Sequence, residues 1–436
     1  MTNSETEGGD TEQYIQAVMR NVYGREIRDL APLGGGKNSI VHSFIAEAAS
    51  SEVSPSGRAA VSPLPRGAAK LVMRVANPEA MLNEAVRAQS EVAMMLLMRQ
   101  ALAKLDTNGN VVPRVYGWSP PKDSKEKGWL LMEFMPGVVL ADAFPSLGWE
   151  KKTSILQQIA RIFAAIQTFV LPSSVKGFGG LNFDDAENII TGPTPIHGGG
   201  PSDTLTDLYT EYFRTQMSFA DKCDVVKGWK TTGSLRDRLD KFAAEKLPQL
   251  LREVESKLKP RPTLVHADLD LHNLLFDPPT NTITALIDFD FSHVASQADE
   301  YFYSLDTLHS LVFPPTIDDP SMVSLRNALL HGFPQNPAVL VPTGAASKEG
   351  DESDDSAVDW QLAAAADEAF ADAGVKRPSE MPGIDELSVL YWFIQDVSPP
   401  LFFLKRWRSR ASPEKVEMIR AGTQANLEQS LERWGY

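Results

Sequence analysis

The 436-residue chain has a single cysteine, Cys223, which excludes an intramolecular disulfide and leaves no thiolate set for a cysteine-based zinc site. Basic residues are in deficit: 42 Lys and Arg face 57 Asp and Glu, a formal net charge of -15. That balance repels nucleic acid and anionic membrane surfaces, so neither is expected as a partner and a neutral or cationic one is. No apolar run approaches the ~20 residues that cross a bilayer. The opening residues, MTNSETEGGDTEQY, lack the basic region and apolar stretch of a secretory leader. With one thiol and no leader pattern, a cytoplasmic setting is expected.

What is present reads as a folded protein, with 43% hydrophobic and 23% charged residues. The length favours more than one unit. From Ile27 to Ala46 two stretches of strand character flank LGGGKNSIV, predicting a strand, a glycine turn and a strand. Residues 49 to 69, rich in Ser, Pro, Gly and Ala, read as a flexible insertion ahead of the strand LVMRV at 71 to 75. Helix is expected from Pro78 to Met98, and WLLMEFMPG at 129 to 137 is a buried strand closed by a Pro-Gly break. Up to this point the chain predicts one small, mostly β unit.

Beyond Gly137 the periodicity changes. Ile155, Ile159, Ile162, Phe163, Ile166 and Phe169 recur at helical spacing, and further helices are expected at 204 to 220 and 235 to 258. A final helix has Ser412 as cap and Pro413 in its first position. SKEGDESDDS, 347 to 356, reads as a mobile acidic surface loop, and no internal repeat is present.

The densest chemistry lies in LVHADLDLHNLLFD, 264 to 277, followed by ITALIDFDFSH, 283 to 293. NLLF and ITALI are two apolar strands joined by the turn DPPTN, a β-hairpin. Pairing such strands brings Asn273, at the start of one, next to Asp288, at the end of the other, beside the loop carrying His266, Asp268 and Asp270. Oxygen donors on a β scaffold suit Mg²⁺, which takes a few carboxylate or amide oxygens and completes its shell with phosphate oxygens.

This order of parts, HADLDLHN and then IDF, resembles the catalytic loop and metal-binding segment of protein kinase-like enzymes, and more closely the aminoglycoside phosphotransferase family in its fungal-type branch. SEVAMMLLM followed by VPRVYGW is similar to that family's regulatory-helix glutamate and next strand, LLMEFMPG to its hinge, and LGGGKNSIV to its nucleotide-covering loop. The matches run in family order from about residue 33 to 303.

The resemblance implies an α+β, two-lobed protein kinase-like fold: a small β-rich nucleotide-binding N-lobe over residues 1–134 and a larger, mainly helical catalytic and acceptor-binding C-lobe over 135–436. It implies ATP and Mg²⁺ as cofactors and a small-molecule hydroxyl as acceptor. Asp268 becomes the catalytic base, and Asn273 and Asp288 the metal ligands. Gly35, Gly36 and Asn38 become the phosphate cover, Arg74 with Glu91 the cation on the phosphates and its partner, and Glu133 and Met135 the adenine-side hinge. The family's lysine position is here Arg74, with Lys70 at the strand's edge; arginine keeps the charge in a larger, forked form.

Each residue also has a plainer reading. Asp268, Asn273 and Asp288 could serve as turn and cap residues. Asp270 and Asp290, two positions away from the favoured aspartates, are the alternatives if the register differs, and Glu84 competes with Glu91. His266 is expected to support the loop, and His272 and His293 to be structural or surface residues. The three glycines are equally a hairpin turn, and the hinge residues are strand first. Two function classes follow: a small-molecule kinase acting on an aminoglycoside-like, amino-alcohol or related acceptor, or a pseudokinase-like binding module without turnover. A protein kinase ranks third, because ADEYFYSL and no APE-type segment follows the metal aspartate.

Overall fold

The computed structural model describes residues 3–35, 39–48, 61–77, 84–105, 111–121, 127–195, 199–231, 233–334 and 358–436. The N-terminal part is a five-stranded antiparallel sheet in the order β1-β2-β3-β5-β4. Its strands are β1 (Ile27–Gly35), β2 (Ser39–Ala46), β3 (Ala69–Ala76), β4 (Val115–Ser119) and β5 (Trp129–Glu133). Two helices belong to it, α1 (Asn3–Tyr23) and α2 (Glu84–Ala101).

Residues 71 to 76 are all buried, which a strand achieves only when both faces of its sheet are covered. Leu71, Met73 and Val75 pack with Ile15, Val18 and Met19 of α1. Val72, on the alternate face, packs in the main core with the apolar residues of α2. The two-residue period of a strand therefore turns Arg74 toward α2.

The chain crosses from this sheet to a second one in four residues. After Glu133 it enters β6 (Val138–Val139), which pairs with β10 (Leu274–Asp277), itself paired with β11 (Thr282–Leu286). Gly137 makes the crossing possible: it adopts a φ of +131°, and a Cβ there would lie 2.7 Å from Thr284 Oγ1 and 2.9 Å from the Phe276 carbonyl oxygen. The Thr284 hydroxyl donates to the Pro136 carbonyl at 2.5 Å, fastening the crossing to the hairpin.

The C-terminal part is mainly helical. In chain order it contains α3 (Leu140–Ala143), α4 (Trp149–Thr168), the strand pair β7 (Gly180–Phe183) and β8 (Ile189–Gly192), α5 (Leu205–Lys222), α6 (Leu235–Glu245), α7 (Leu247–Leu258) and β9 (Thr263–Val265). The hairpin β10–β11, β12 (His293–Ala295), α8 (Glu300–Tyr303), α9 (Pro320–His331), α10 (Trp360–Asp372), α11 (Ile384–Val397), α12 (Lys405–Arg408) and α13 (Pro413–Arg433) follow. The α+β plan expected of the sequence, a β-rich N-terminal region and a larger helical C-terminal one, is the plan observed.

The hairpin and the Ser412 cap, whose hydroxyl accepts from Lys415 N at 3.2 Å, are where the sequence places them; of the expected glycine turn, Gly34 and Gly35 fall within β1 and residues 36–38 lie outside the described residues. Three features differ. Helix α1 occupies what reads as a polar start, because Gly8 and Gly9 weaken the local helix signal while Ile15, Val18 and Met19 find the open face of the sheet. The helix expected over 235 to 258 is two, divided at Lys246 with Pro248 in the first turn of α7. The short pair β7–β8 was not anticipated. Residues 49–60, 78–83 and the acidic segment 347–356 lie outside the described residues. Among the described residues no helix is long and apolar enough to cross a membrane.

Candidate active site

The catalytic-loop candidates form one unit. Residue 271 begins a short 3-10 turn ending at Asn273, whose backbone N–H donates to the Asp270 carbonyl at 3.0 Å. The Asn273 carbonyl accepts from Ile287 N at 2.9 Å, so the start of β10 lies against the end of β11, and Asp288 follows directly. The Asn273 side-chain amide donates to the Asp268 carbonyl at 2.9 Å. Burial raises the Asp268 carboxyl to about 6, opposed by a hydrogen bond from Asn273 and reinforced by the neighbouring charges of Asp288 and Asp270.

Helix α8 holds this loop by its backbone. The Glu300 carboxylate accepts from His266 N at 2.7 Å and Ala267 N at 3.0 Å, and Ser304 Oγ, one helical turn further, accepts from Leu269 N at 2.8 Å. Ser304 itself donates to Glu300 at 2.5 Å. Ala267 is thereby kept at a φ of +63°, a left-handed conformation that a non-glycine residue holds only when its surroundings enforce it. Burial pushes the Glu300 carboxyl up to about 7.

The remaining polar residues of the loop differ in their contacts: Asp270 is bonded, whereas neither ring nitrogen of His266 has a hydrogen-bond partner among the described residues. Asp270 accepts from Leu271 N at 2.7 Å and from the Thr307 hydroxyl, which ties the 3-10 turn to the segment after α8. It is a turn cap. His266 is fully buried, its ring 4.7 Å from that of Phe289, and burial lowers its imidazole to about 3, so it stays neutral. His293 is buried with Nδ1 2.9 Å from the Phe291 carbonyl, and His272 is exposed.

Asp288 and Asp290, equivalent in sequence, are separated by their surroundings. The Asp288 side chain is 41% exposed and its backbone is left-handed at a φ of +66°. Its recess still dehydrates it, raising its carboxyl above the ordinary aspartate value against the pull of Arg74. Asp290 is 3% exposed and lies between two arginines, Arg74 Nη2 at 2.7 Å and Arg87 Nη1 at 2.6 Å. Burial works against the charged form of Asp290, and the two guanidiniums outweigh it, holding the carboxyl below its usual value.

Arg74 and Glu91 do pair. Arg74 Nη2 also donates to Ser39 Oγ at 2.8 Å and lies 3.4 Å from Asp288. Arg87 bonds Glu91 at 2.7 Å and Glu84 at 2.7 Å. The rivals Glu84 and Glu91 thus both belong to the cluster, on one face of α2 at positions i and i+7 with Arg87 at i+3. Arg87 was not singled out by the sequence, although the E-x-x-R-x-x-x-E spacing was readable, and neither were Glu300 and Ser304.

Of the other predicted positions, Gly35 ends β1 opposite Ile40, while Gly36 and Asn38 lie outside the described residues. Glu133 ends β5 with its N–H on the Arg114 carbonyl at 2.9 Å and its carboxylate accepting from Arg114 N at 3.1 Å. Met135 lies in the crossing, and Lys70 stands 3.8 Å over the ring of Phe134 beside it. Asp268, Asn273, Asp288, Arg74 and Glu91 are therefore brought together, with Glu133 and Met135 at the crossing between the two sheets.

A model of the phosphotransferase enzyme family matches residues 64–308, more than half of the chain. No curated protein matches the sequence. Solved structures similar to this chain include a putative aminoglycoside phosphotransferase from Ralstonia eutropha, 17% identical, covering 97% of this chain and 97% of that one at a TM-score of 0.45. An ethanolamine kinase from Plasmodium vivax is 14% identical over 96% of this chain and 87% of that one, at 0.42. A thermostable aminoglycoside phosphotransferase mutant in complex with ADP and hygromycin B is 14% identical over 96% of this chain and 98% of that one, at 0.41.

Proposed function

Because the chain belongs to the phosphotransferase enzyme family, we propose that it moves the γ-phosphate of ATP, with Mg²⁺, onto a hydroxyl of a small molecule. The observation that carries this reading is the Asp268 carboxyl, lifted to about 6 and set beside Asp288 and Asn273. A base whose pKa lies near the working pH is ionised enough to accept a proton and basic enough to hold it. Asp268 takes the proton of the acceptor hydroxyl as the oxygen attacks phosphorus.

Asn273 and Asp288 suit Mg²⁺. Among the described residues no three His, Cys, Asp or Glu side chains gather into a closed cage, and Mg²⁺ needs none: one or two carboxylates suffice beside water and phosphate oxygens. Asp268 and Asp288 set two carboxyls near each other, with Arg74 3.4 Å from Asp288. Mg²⁺ bound there would add positive charge and neutralise phosphate oxygens. Arg74, oriented by Glu91, places its guanidinium along the phosphates. Gly35, Gly36 and Asn38 cover them, and Glu133 and Met135 offer backbone to the adenine edge. Residues 1–134 form the nucleotide-binding lobe and 135–436 the acceptor lobe.

For the acceptor, the net charge of -15 favours a cationic molecule, so an aminoglycoside-like compound or an amino-alcohol is preferred. One observation favours a binding module without turnover: Glu91 and Asp290 already match the charge of Arg74 and Arg87, which leaves less of it for a phosphate. Measuring ADP release with Mg²⁺-ATP across aminoglycosides, choline-like amines, sugars and hydroxy-amino acids decides between them. Release with one acceptor class that disappears in Asp268→Asn supports the kinase. Nucleotide binding with no release for any acceptor leaves the module.

A further inference from the structure

Four buried side chains close a cycle of ion pairs. Arg74 bonds Glu91, Glu91 bonds Arg87 at 2.7 Å, Arg87 bonds Asp290 at 2.6 Å, and Asp290 bonds Arg74 at 2.7 Å. The side chains are 2% to 7% exposed, so each charge is stabilised by its two opposite neighbours and hardly at all by water. The members come from three places in the chain: β3, α2 and the segment after β11. Asp290 gives one carboxylate oxygen to each arginine, Oδ1 to Arg87 and Oδ2 to Arg74. Its position is therefore fixed from two directions, and with it the backbone two residues earlier, where Asp288 opens to solvent in a left-handed conformation.

We infer that Arg87 is a positioning residue for the phosphotransferase site, binding Asp290 so that helix α2 stays docked and Asp288 is held ready for the cation before any nucleotide arrives. Arg87 touches neither Asp288 nor Asp268; it acts through Asp290. Groups bonded directly to a metal ligand typically shift metal affinity by about 10-fold to 100-fold when removed, and Arg87 stands one step further back, so the lower end of that range is expected. Arginine suits 87 because its guanidinium bonds Glu91 and Asp290, the two cycle partners, and still has an edge left for Glu84 outside the cycle, while an ammonium is a single point.

The inference rests on the phosphotransferase reading but can be tested without turnover. Binding of a fluorescent ATP analogue is titrated with Mg²⁺ and repeated without it, on wild type, Arg87→Met, Arg87→Lys and Glu84→Gln. Arg87→Met is expected to raise the Mg²⁺ concentration for half-maximal binding about tenfold and to leave Mg²⁺-free binding within about threefold. Arg87→Lys should fall between wild type and Arg87→Met, and Glu84→Gln, which removes a partner outside the cycle, should match wild type. If Arg87→Met does not fold, Arg87→Lys decides by the same split. A wild-type Mg²⁺ requirement in the arginine variants overturns the inference. So does an equal loss with and without Mg²⁺, which is general loosening, or an equal shift in Glu84→Gln. A wild type that binds nucleotide with Mg²⁺ but turns over no acceptor defeats the kinase reading and leaves these criteria in force. A wild type that binds no nucleotide defeats both.

Discussion

Two sets of buried charge meet where the sheet joins the helical region, and they are held in opposite ways. Around Arg74 and Arg87 every carboxylate has a cation: Glu91 and Asp290 bridge both arginines and Glu84 caps the outer side. Around Asp268 the acids are held by backbone N–H groups, hydroxyls and an amide, as with Glu300 on His266 and Ala267 or Asp270 on Thr307. Burial acts on both sets: the two guanidiniums hold Asp290 below its ordinary value, yet Glu91 between the same arginines is raised to about 7, and Asp268 and Glu300, with no guanidinium bonded to them, are raised to about 6 and about 7. One set is electrostatically complete and organises; the other lacks positive charge and is suited to receive a cation and a proton.

The strongest way to break this contrast is to remove one member of the complete set. Asp290→Ala leaves two buried arginines short of a carboxylate and should destabilise the protein by ~3 kcal/mol or more, read by denaturant unfolding. Asp288→Ala, at a side chain 41% exposed, should leave stability nearly unchanged while weakening the Mg²⁺-dependent part of nucleotide binding. Equal stability losses in the two variants would erase the distinction drawn between them.

Next in size is the chemistry assigned to the incomplete set. Asp268→Asn should cut turnover by about 10²-fold or more while nucleotide binding with Mg²⁺ stays within a few-fold, since only the base is lost. Turnover that survives within a few-fold would remove Asp268 from that role.

Arg74→Lys keeps the charge and shortens its reach. Because Arg74 serves Glu91, Asp290, Asp288 and Ser39 at once, the lysine variant should lose about tenfold in turnover, measured under saturating nucleotide. A gain of activity would instead mark the arginine as a disabling substitution.

The mildest perturbation, which changes no residue, is pH. Asp268 must be ionised to accept a proton, and its carboxyl is raised to about 6, so kcat/KM should rise with pH up to that point and fall about tenfold per unit below it. A profile that remains flat down to about pH 4 would place the controlling group elsewhere.

How much of this was legible follows from range along the chain. HADLDLHN, the apolar strands and the DPPTN turn are neighbours in sequence, so pairing Asn273 with Asp288 required only hairpin geometry, and the Ile287 N–H on the Asn273 carbonyl bears it out. The stripe of α4 and the Ser412 cap were readable for the same reason: periodicity and capping are local. Helix α1 was not, because its glycines contradict its fate and its stability comes from a sheet face formed later in the chain.

The sequence by itself determined the set of chemical groups and their spacing: a base candidate five residues before an amide, an aspartate after the next strand, and an arginine on a strand ahead of a helix carrying glutamates. Which aspartate faces outward was decided only by the tertiary structure. Asp288 and Asp290 are two residues apart with the same side chain, and local rules treat them alike. Arg87 lies 203 residues from Asp290 in sequence and 2.6 Å from it in space, and that pairing buries one carboxylate and leaves the other to solvent. Burial of charge is favourable only when a partner arrives with it, and the partner is supplied by the fold.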